Sequence, residues 1–236
     1  MLAIWKKEVQ AYYLSPIAYV FTGVFMLVSG LFFTLSNILS YNASFIGTLS
    51  SLTFLFMLVV PILTMRLLSE ERLHKTDQLL LTAPVSLTAV VVGKYLAALT
   101  VFAVTLLVSG VYPLVLMIFG NPAVGEIMTG YVGFFLLGAA IISVGVFMSS
   151  LTESQVTAAV TTFGILLFLQ LIEAIVPSLD APWLITAFQW ISIYSRFETF
   201  SMGLLSLVPS LYYISFVAVF LFLTIRVMDR RRWSEE

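Results

Sequence analysis

Hydrophobic residues fill this chain in six long blocks, and short polar stretches separate one block from the next. Most of the blocks reach the roughly 20 apolar residues that a helix needs to cross the hydrocarbon core of a bilayer. Apolar residues follow one another without the two-residue alternation of a membrane barrel strand, so helices are predicted. The predicted spans are 17–39, 48–68, 88–119, 127–150, a fifth that ends near 176, and 209–228.

The polar stretches between the blocks have the composition of turns. Ser15-Pro16 separates the first fifteen residues from span 1, because proline is tolerated at a helix start and not in its middle. The stretches 40–44, 120–122 and 152–155 reverse the chain between later spans. We therefore predict one transmembrane domain over 1–236.

Residues 1–15 predict a helix that lies in the headgroup layer. On a helix, Trp5, Tyr12 and Tyr13 share one face, and Lys6 and Lys7 lie largely on the other. An aromatic face opposite lysines is typical of an interfacial helix in contact with membrane lipids. The alternative is an ordinary flank that anchors span 1, and the two interpretations are compatible.

The stretch 177–208 is apolar in part, yet it is not predicted to cross the membrane. Proline and aspartate interrupt its beginning, and a lone span would tolerate its polar residues poorly. Its interrupting and polar residues are Pro177, Asp180, Pro182, Gln189, Arg196 and Glu198. We predict a re-entrant or interfacial helical hairpin on the outer side.

Charge predicts the orientation. Lysine and arginine near the spans mark the cytoplasmic side. With six spans, Arg196 alone among the eleven Lys and Arg residues falls outside. A seventh span would place the Arg230–Arg232 cluster outside. We predict a multi-pass protein of the inner or plasma membrane with both termini in the cytoplasm.

Composition excludes several classes of function. Only 10% of the residues are charged and 61% are hydrophobic, and the net charge of −1 indicates no nucleic-acid partner. Cysteine is absent and the single histidine, His74, has no plausible catalytic partner, so no catalytic residue and no metal ligand are predicted. No phosphate-binding loop is present, since Gly93-Lys94 alone is too little to form one.

The predicted span centres carry almost no ionisable residue. Glu173 lies near the outer end of span 5, and Arg66 and Lys94 lie near inner ends. Ion-driven transporters usually carry such residues deep in their spans. If this protein moves a cargo uphill, the energy is therefore expected to come from another chain.

The stretch 69–84 is a long charged segment between spans 2 and 3. Its polar residues, followed by Leu79–Leu81, suit a short cytoplasmic helix pressed between the membrane and a soluble partner. A solvated loop with pairs such as Glu71–Lys75 explains the pattern equally well.

Small residues recur along span 4 and at the start of span 5, and in lipid they let helices approach closely. We expect packing within the chain first and a subunit interface second. The residues are Gly133, Gly138, Ser143, Gly145, Ser149, Ala158, Ala159, Thr161, Thr162 and Gly164.

Several short motifs are spread over nearly the whole chain: Trp5-Lys6-Lys7-Glu8, Ser15-Pro16-Ile17-Ala18-Tyr19, Ser69-Glu70-Glu71-Arg72, Thr76, Leu79-Leu80-Leu81-Thr82-Ala83-Pro84-Val85-Ser86 and Gly93-Lys94. Together they resemble the motifs of ABC-2 type ABC transporter permeases. The Ser-Pro-Ile-Ala-Tyr start is most similar to permeases associated with gliding motility, and copper-enzyme maturation permeases are a second relative.

The resemblance implies an N-terminal elbow helix, a coupling helix between spans 2 and 3, and an outer hairpin between spans 5 and 6. It implies pairing with a second permease subunit and docking of a cytoplasmic ABC ATPase dimer. ATP and magnesium would be bound by that ATPase, and no cofactor is expected on this chain. The implied ATPase-coupling residues are Glu70, Glu71, Arg72, Lys75, Thr76, Leu79, Leu80 and Pro84.

Two positions depart from the family pattern. Lys75 stands where a glycine often precedes the loop threonine, and Asp77 stands where an apolar residue usually follows it. We expect the permease subunit of an ATP-driven exporter. The alternatives are a membrane anchor or assembly subunit that moves no cargo, and a permease of the copper-enzyme-maturation type.

Overall fold

The computed structural model describes residues 1–73, 75, 85–175 and 192–232, and it confirms an all-α fold for them. The described residues form ten α-helices: Leu2–Leu14 (α1), Pro16–Phe33 (α2), Ile46–Thr64 (α3), Arg66–Leu73 (α4), Leu87–Ser109 (α5), Val111–Phe119 (α6), Val124–Leu151 (α7), Gln155–Ile175 (α8), Ser195–Ser201 (α9) and Leu207–Arg232 (α10).

Six helical stretches among the described residues are long and apolar enough to cross a membrane, as the hydrophobic blocks predict. Three of them join neighbouring elements: α2 continues into a π-helical turn at Thr34–Ile38, α3 into α4, and α5 into α6. The chain is therefore a multi-pass membrane protein. The six stretches are Pro16–Ile38, Ile46–Leu73, Leu87–Phe119, Val124–Leu151, Gln155–Ile175 and Leu207–Arg230.

Span 2 continues farther than its hydrophobic block, which ends at 68. The charged residues 69–73 form the second half of α4, because Glu, Arg and Leu are good helix formers and Arg72 suits the last turn of a helix. Pro61 inside α3 removes one backbone N–H donor, and Met65 separates α3 from α4. The predicted charged stretch therefore begins as a direct extension of span 2.

Helix α7 lies at the centre of the bundle and packs against α3, α5, α8 and α10. Gly133, Gly138 and Gly145 let it approach its neighbours, because a Cβ atom at these positions would overlap Phe200, Phe102 and Thr64, respectively. The prediction that small residues of span 4 pack within the chain is confirmed. On α8 the pattern divides, with Ala158 and Thr162 buried but Thr161 and Gly164 exposed.

The alternating directions of the spans give the bundle two ends. We call the end that holds α1, α4 and the turn 152–154 the near end. The far end holds the turns 39–45 and 120–123. Asn37 closes the first far-end turn: its amide nitrogen donates to the carbonyls of Asn42 and Ser44 at 2.8 Å each, and its oxygen accepts from the Thr48 hydroxyl at 2.7 Å.

Helix α9 is too short to cross a bilayer and packs at the far end. The Thr129 hydroxyl of α7 donates to the Phe200 carbonyl, and the Tyr213 hydroxyl of α10 donates to the Ile193 carbonyl. These bonds hold α9 against spans 4 and 6. The predicted hairpin over 177–208 stays a prediction, since residues 176–191 lie outside the described part.

Candidate functional site

The near end contains the charged segment to which the sequence assigns a partner, and α1 packs beside it on the start of α5. Gly93 permits a close approach, because a Cβ atom there would stand 3.1 Å from the side chain of Ile4. The Trp5 indole nitrogen donates to the Thr100 hydroxyl at 3.0 Å. The aromatic face of α1 therefore contacts the bundle itself.

Lys94 lies at the point where α1, α4 and α5 meet. Its ammonium nitrogen is 2.9 Å from a carboxylate oxygen of Glu8 and 2.8 Å from one of Glu71. The three side chains are largely buried, and that of Lys94 is only 3% exposed. The two carboxylates partner the buried ammonium group, so two acidic residues and one basic residue form one ionic contact. We call this group the Lys94 junction.

A second contact joins α1 to α4. The guanidinium carbon of Arg66 stands 4.6 Å from the centre of the Tyr12 ring, within cation–π range. The Tyr12 hydroxyl donates to the Leu63 carbonyl at 2.6 Å. Burial raises the pKa of the Tyr12 phenol well above its ordinary value, so the ring stays neutral and keeps its donor.

Arg72 binds on the other side of α4. Its guanidinium donates to a carboxylate oxygen of Glu153 in the α7–α8 turn at 2.8 Å. The Glu153 side chain is 66% exposed, so water and salt weaken this pair far more than the Lys94 junction. Helix α4 is thus held on one side by a buried contact and on the other by a solvated one.

The interruption between α3 and α4 is held by a serine of span 4. The Ser149 hydroxyl accepts hydrogen bonds from the backbone N–H groups of Leu68 and Ser69 at 3.1 Å each, and it donates to the Met65 carbonyl at 3.0 Å. One hydroxyl has one donor and two acceptor positions, so all of its capacity is used.

The predicted coupling residues that the structure describes point in different directions. Glu71 faces Lys94, and Arg72 faces Glu153. Glu70 is half-buried and Lys75 is exposed. Lys75 has a φ of 54°, in the left-handed region that favours glycine, so the residue that departs from the family pattern occupies a glycine-type conformation.

Other predicted site residues lie outside the described part: Thr76, Leu79, Leu80 and Pro84. Among the interfacial residues, Lys6 and Lys7 are exposed, Trp5 and Tyr13 are half-buried, and Tyr12 is fully buried. Helix α1 forms as predicted. Its position in the headgroup layer remains a prediction.

A second group of polar side chains lies at the far end, and we call it the Glu173 cluster: Gln170, Glu173, Ser192, Tyr194 and Ser195. One oxygen of the Glu173 carboxylate accepts hydrogen bonds from the Ser192 hydroxyl and the Ser195 backbone N–H. The other Glu173 oxygen, the Gln170 carbonyl oxygen and the Tyr194 hydroxyl are buried without a hydrogen bond. Burial, and then the nearby Glu173 charge, raise the pKa of the Tyr194 phenol.

The Lys94 junction consists of ion-paired side chains from three helices. The Lys94 junction contains no nucleophile beside a base. Within the described ranges, no set of three His, Asp or Glu side chains is placed to hold a metal ion, and His74 lies outside them. The near-end geometry instead connects elements mechanically.

The sequence reasoning missed Glu8, Lys94 and Ser149 as parts of the site. A signal for Lys94 was present, because an ionisable residue close to a membrane span is expected to have a partner. The identity of its partners was not readable, since Glu8 is 86 residues away along the chain.

The geometry agrees with what is found by comparison with known protein families. A family model described as ABC-2 family transporter protein matches residues 2–228. No curated protein matches the chain.

Proposed function

Because the chain belongs to the ABC-2 family of transporter proteins, we propose that it is the membrane subunit of an ATP-driven exporter whose ATPase is a separate cytoplasmic chain. The chain is a membrane permease, and its described residues include six apolar helical stretches long enough to span a membrane. The finer proposal is that movement of the ATPase is received by α4 and the residues after it, and that cargo passes between two paired permease subunits.

One observation carries the proposal: the charged helix α4 is a continuous extension of span 2 and is joined to α1, α5 and the α7–α8 turn. A force on α4 therefore acts on several spans at once. Glu70 is half-buried, and Leu73 and Lys75 are exposed at the end of this helix, where a soluble partner can reach them.

Charge supports a cytoplasmic position for the near end. Arg196 lies at the far end, whereas the other basic residues with described side chains lie at the near end: Lys6, Lys7, Arg66, Arg72, Lys75, Lys94, Arg226 and Arg230. This is the distribution that places a membrane protein with its basic side inside.

The orientation is testable directly, since the chain contains no cysteine. In Gln10→Cys the single thiol lies at the near end, and in Tyr41→Cys it lies at the far end on a residue that is 97% exposed. An impermeant thiol reagent added to intact cells is expected to label position 41 and to label position 10 only after permeabilisation. The reverse pattern would exclude a cytoplasmic near end.

The coupling proposal is tested by Glu70→Lys. The chain is purified in mild detergent from cells that contain its ATPase, and ATP hydrolysis is measured per complex. Charge reversal beside the exposed end of α4 is expected to lower the amount of bound ATPase about tenfold, the change that 1.4 kcal/mol of lost binding produces. Membrane insertion should be unchanged.

The matched control is Glu126→Lys, which makes the same charge change at an exposed residue of the far end. It should leave ATPase binding as in the unchanged chain. Equal binding by both variants contradicts the assignment of α4, and an absence of any co-purified ATPase contradicts the exporter.

The alternative function, a membrane anchor that moves no cargo, also predicts that an ATPase co-purifies. Only the exporter predicts that nucleotide changes the distance between two paired permease subunits. Spin labels at position 41 of each subunit measure that distance with and without ATP and vanadate. A distance that nucleotide does not change favours the anchor.

A further inference from the structure

We propose that Lys94 is a positioning residue that fastens α1 to α4, so that the N-terminal helix moves together with the charged end of span 2. The inference rests on the proposed function only for the source of the force. According to this proposal, α1 belongs to the moving part of the permease. Glu71 then serves the contact with Lys94 and is not one of the residues that face a soluble partner.

The geometry gives α1 two points of attachment on one face. Glu8 contacts Lys94, and Tyr12 stacks under Arg66 of α4. Residues four apart on a helix lie one above the other, so Glu8 and Tyr12 form one row along α1. Two contacts one turn apart fix the orientation of this face of α1, in addition to the bond from Trp5 to Thr100 of α5.

Lys94 is the only described basic group within ion-pair distance of both carboxylates. If α4 moved away from α1, the Lys94 ammonium group would lose its contact with Glu8 or with Glu71 in a poorly hydrated site. A buried charge that loses its partner is far more costly than an exposed one. Lys94 belongs to α5, so both contacts are kept when α1 and α4 move together with the start of α5.

The Arg72–Glu153 pair is easier to separate than the Lys94 junction because one of its two partners is solvated. Glu153 is 66% exposed, so its carboxylate becomes hydrated when the pair separates, and only the Arg72 side chain, 18% exposed, remains largely buried. We therefore expect α4 to part from the α7–α8 turn and to keep its connection with α1.

Glu8→Leu is the variant that tests the proposal, because it removes the contact with α1 and leaves Lys94 paired with Glu71. No unpaired buried charge is created, so the protein is expected to fold. Lys6→Leu is the matched control, since it removes a charge and adds an apolar side chain on the exposed side of the same helix.

The measurement uses pairs of spin labels in the complex with the co-purified ATPase, with and without ATP and vanadate. Label positions are Gln10 on α1, Leu73 on α4 and Tyr41 at the far end as the reference, and all three are exposed. In the unchanged chain, nucleotide should shift the 10–41 and 73–41 distances together. In Glu8→Leu the 73–41 shift should remain and the 10–41 shift should be lost.

Glu8→Gln keeps an acceptor oxygen for Lys94 and should recover part of the 10–41 shift, while Lys6→Leu should retain it fully. A full 10–41 shift in Glu8→Leu overturns the inference and leaves the proposed function intact. If nucleotide shifts neither distance in the unchanged chain, the proposed function fails instead. The inference is then decided by the distribution of distances between the spin labels at positions 10 and 73. A single narrow distribution in Glu8→Leu refutes the inference, and a broadened or two-component distribution supports it.

Discussion

At the near end of the bundle the Lys94 ammonium group lies between two carboxylates, whereas at the far end the Glu173 carboxylate takes its hydrogen bonds from a serine hydroxyl and a backbone N–H. The Lys94 junction has both of its carboxylates within 3 Å of a cation. The Glu173 cluster contains three buried polar atoms without hydrogen bonds. Buried polar atoms of this kind cost free energy, and complementary buried charges hold their geometry strongly.

The difference indicates that the two ends resist rearrangement unequally. Separating helices at the near end breaks ionic contacts in a poorly hydrated site. Moving α9 at the far end exchanges the hydrogen bonds that Ser192 and Ser195 donate to Glu173, with no ion pair to break there among the described residues, and it exposes atoms that already lack partners. We therefore expect the near end to move as connected helices and the far end to repack locally.

The largest effect is expected for Lys94→Met. It removes the cation that Glu8 and Glu71 share, and loss of one partner of a buried pair typically costs about 3–5 kcal/mol of folding free energy. The apparent melting temperature in detergent should fall sharply. Glu8→Gln, Glu71→Gln and Lys94→Met combined should restore most of the stability, because no charge remains buried. A single Lys94→Met variant as stable as the unchanged chain would show that the junction is hydrated.

A smaller effect on stability is expected for alanine substitutions at two glycines of α7, and the two substitutions should differ in their cost. A Cβ atom at Gly145 overlaps Thr64 and presses two spanning helices apart, whereas one at Gly133 overlaps Phe200 of the short helix α9. Overpacking costs about 1–3 kcal/mol, and Gly145→Ala should lie at the upper end of that range and Gly133→Ala at the lower. Gly23→Ala is the control, since its Cβ meets nothing within 4 Å. Equal losses of stability in Gly145→Ala and Gly133→Ala would contradict the expectation that the near end resists rearrangement more than the far end.

Asn37→Ala tests whether some contacts of the far end contribute substantially to stability. The change leaves the carbonyls of Asn42 and Ser44 and the hydroxyl of Thr48 without their partner. Of these groups the Thr48 hydroxyl is on a fully buried residue, and because an unsatisfied buried group costs about 1–3 kcal/mol, we expect a clear fall in apparent melting temperature. Asn42→Ala removes one exposed acceptor and should have little effect. If the two variants behave alike, Asn37 does not stabilise this turn.

Glu173→Gln should change stability by less than about 1 kcal/mol, because glutamine keeps an acceptor oxygen for Ser192 and Ser195 and the loss of charge-assisted bonding is offset by the lower cost of burying a neutral group. The measurement is thermal unfolding in detergent, in which the loss of stability of Glu173→Gln is compared with that of Lys94→Met. A loss as large as that of Lys94→Met would mean that the far end, too, depends on a buried charge.

The smallest effect is expected for Lys75→Gly, and it is stabilising. The left-handed conformation of a non-glycine residue costs about 1–2 kcal/mol, and part of this is offset by the greater backbone freedom of glycine in the unfolded chain. A gain below about 1 kcal/mol should appear as a slightly higher melting temperature. Any destabilisation would indicate that the Lys75 side chain makes a contact of its own.

The spans were predictable because the hydrophobic blocks report their length directly, and the packing of α7 was predictable from its small residues. The extension of span 2 into α4 was not, because hydrophobicity ends at residue 68 while helix propensity continues through Glu70 and Glu71. The Lys94 junction depends on α1 packing against α5, a tertiary contact between residues 86 apart, and no local pattern encodes it. In the sequence, Gly93-Lys94 resembles only a fragment of a phosphate-binding loop. In the structure, Gly93 permits the close approach of α1, and Lys94 forms an ion pair with Glu8 of that helix.

The hydroxyl of Ser149 has a consequence for how spans 2 and 4 can move. It holds three backbone groups of one helix turn, so sliding span 2 along span 4 by one turn, about 5.4 Å, would break all three bonds together. Tilting about the same point keeps them. Ser149 therefore opposes sliding of span 2 along the axis of span 4. Tilting of the two spans about this contact is the motion that costs less free energy.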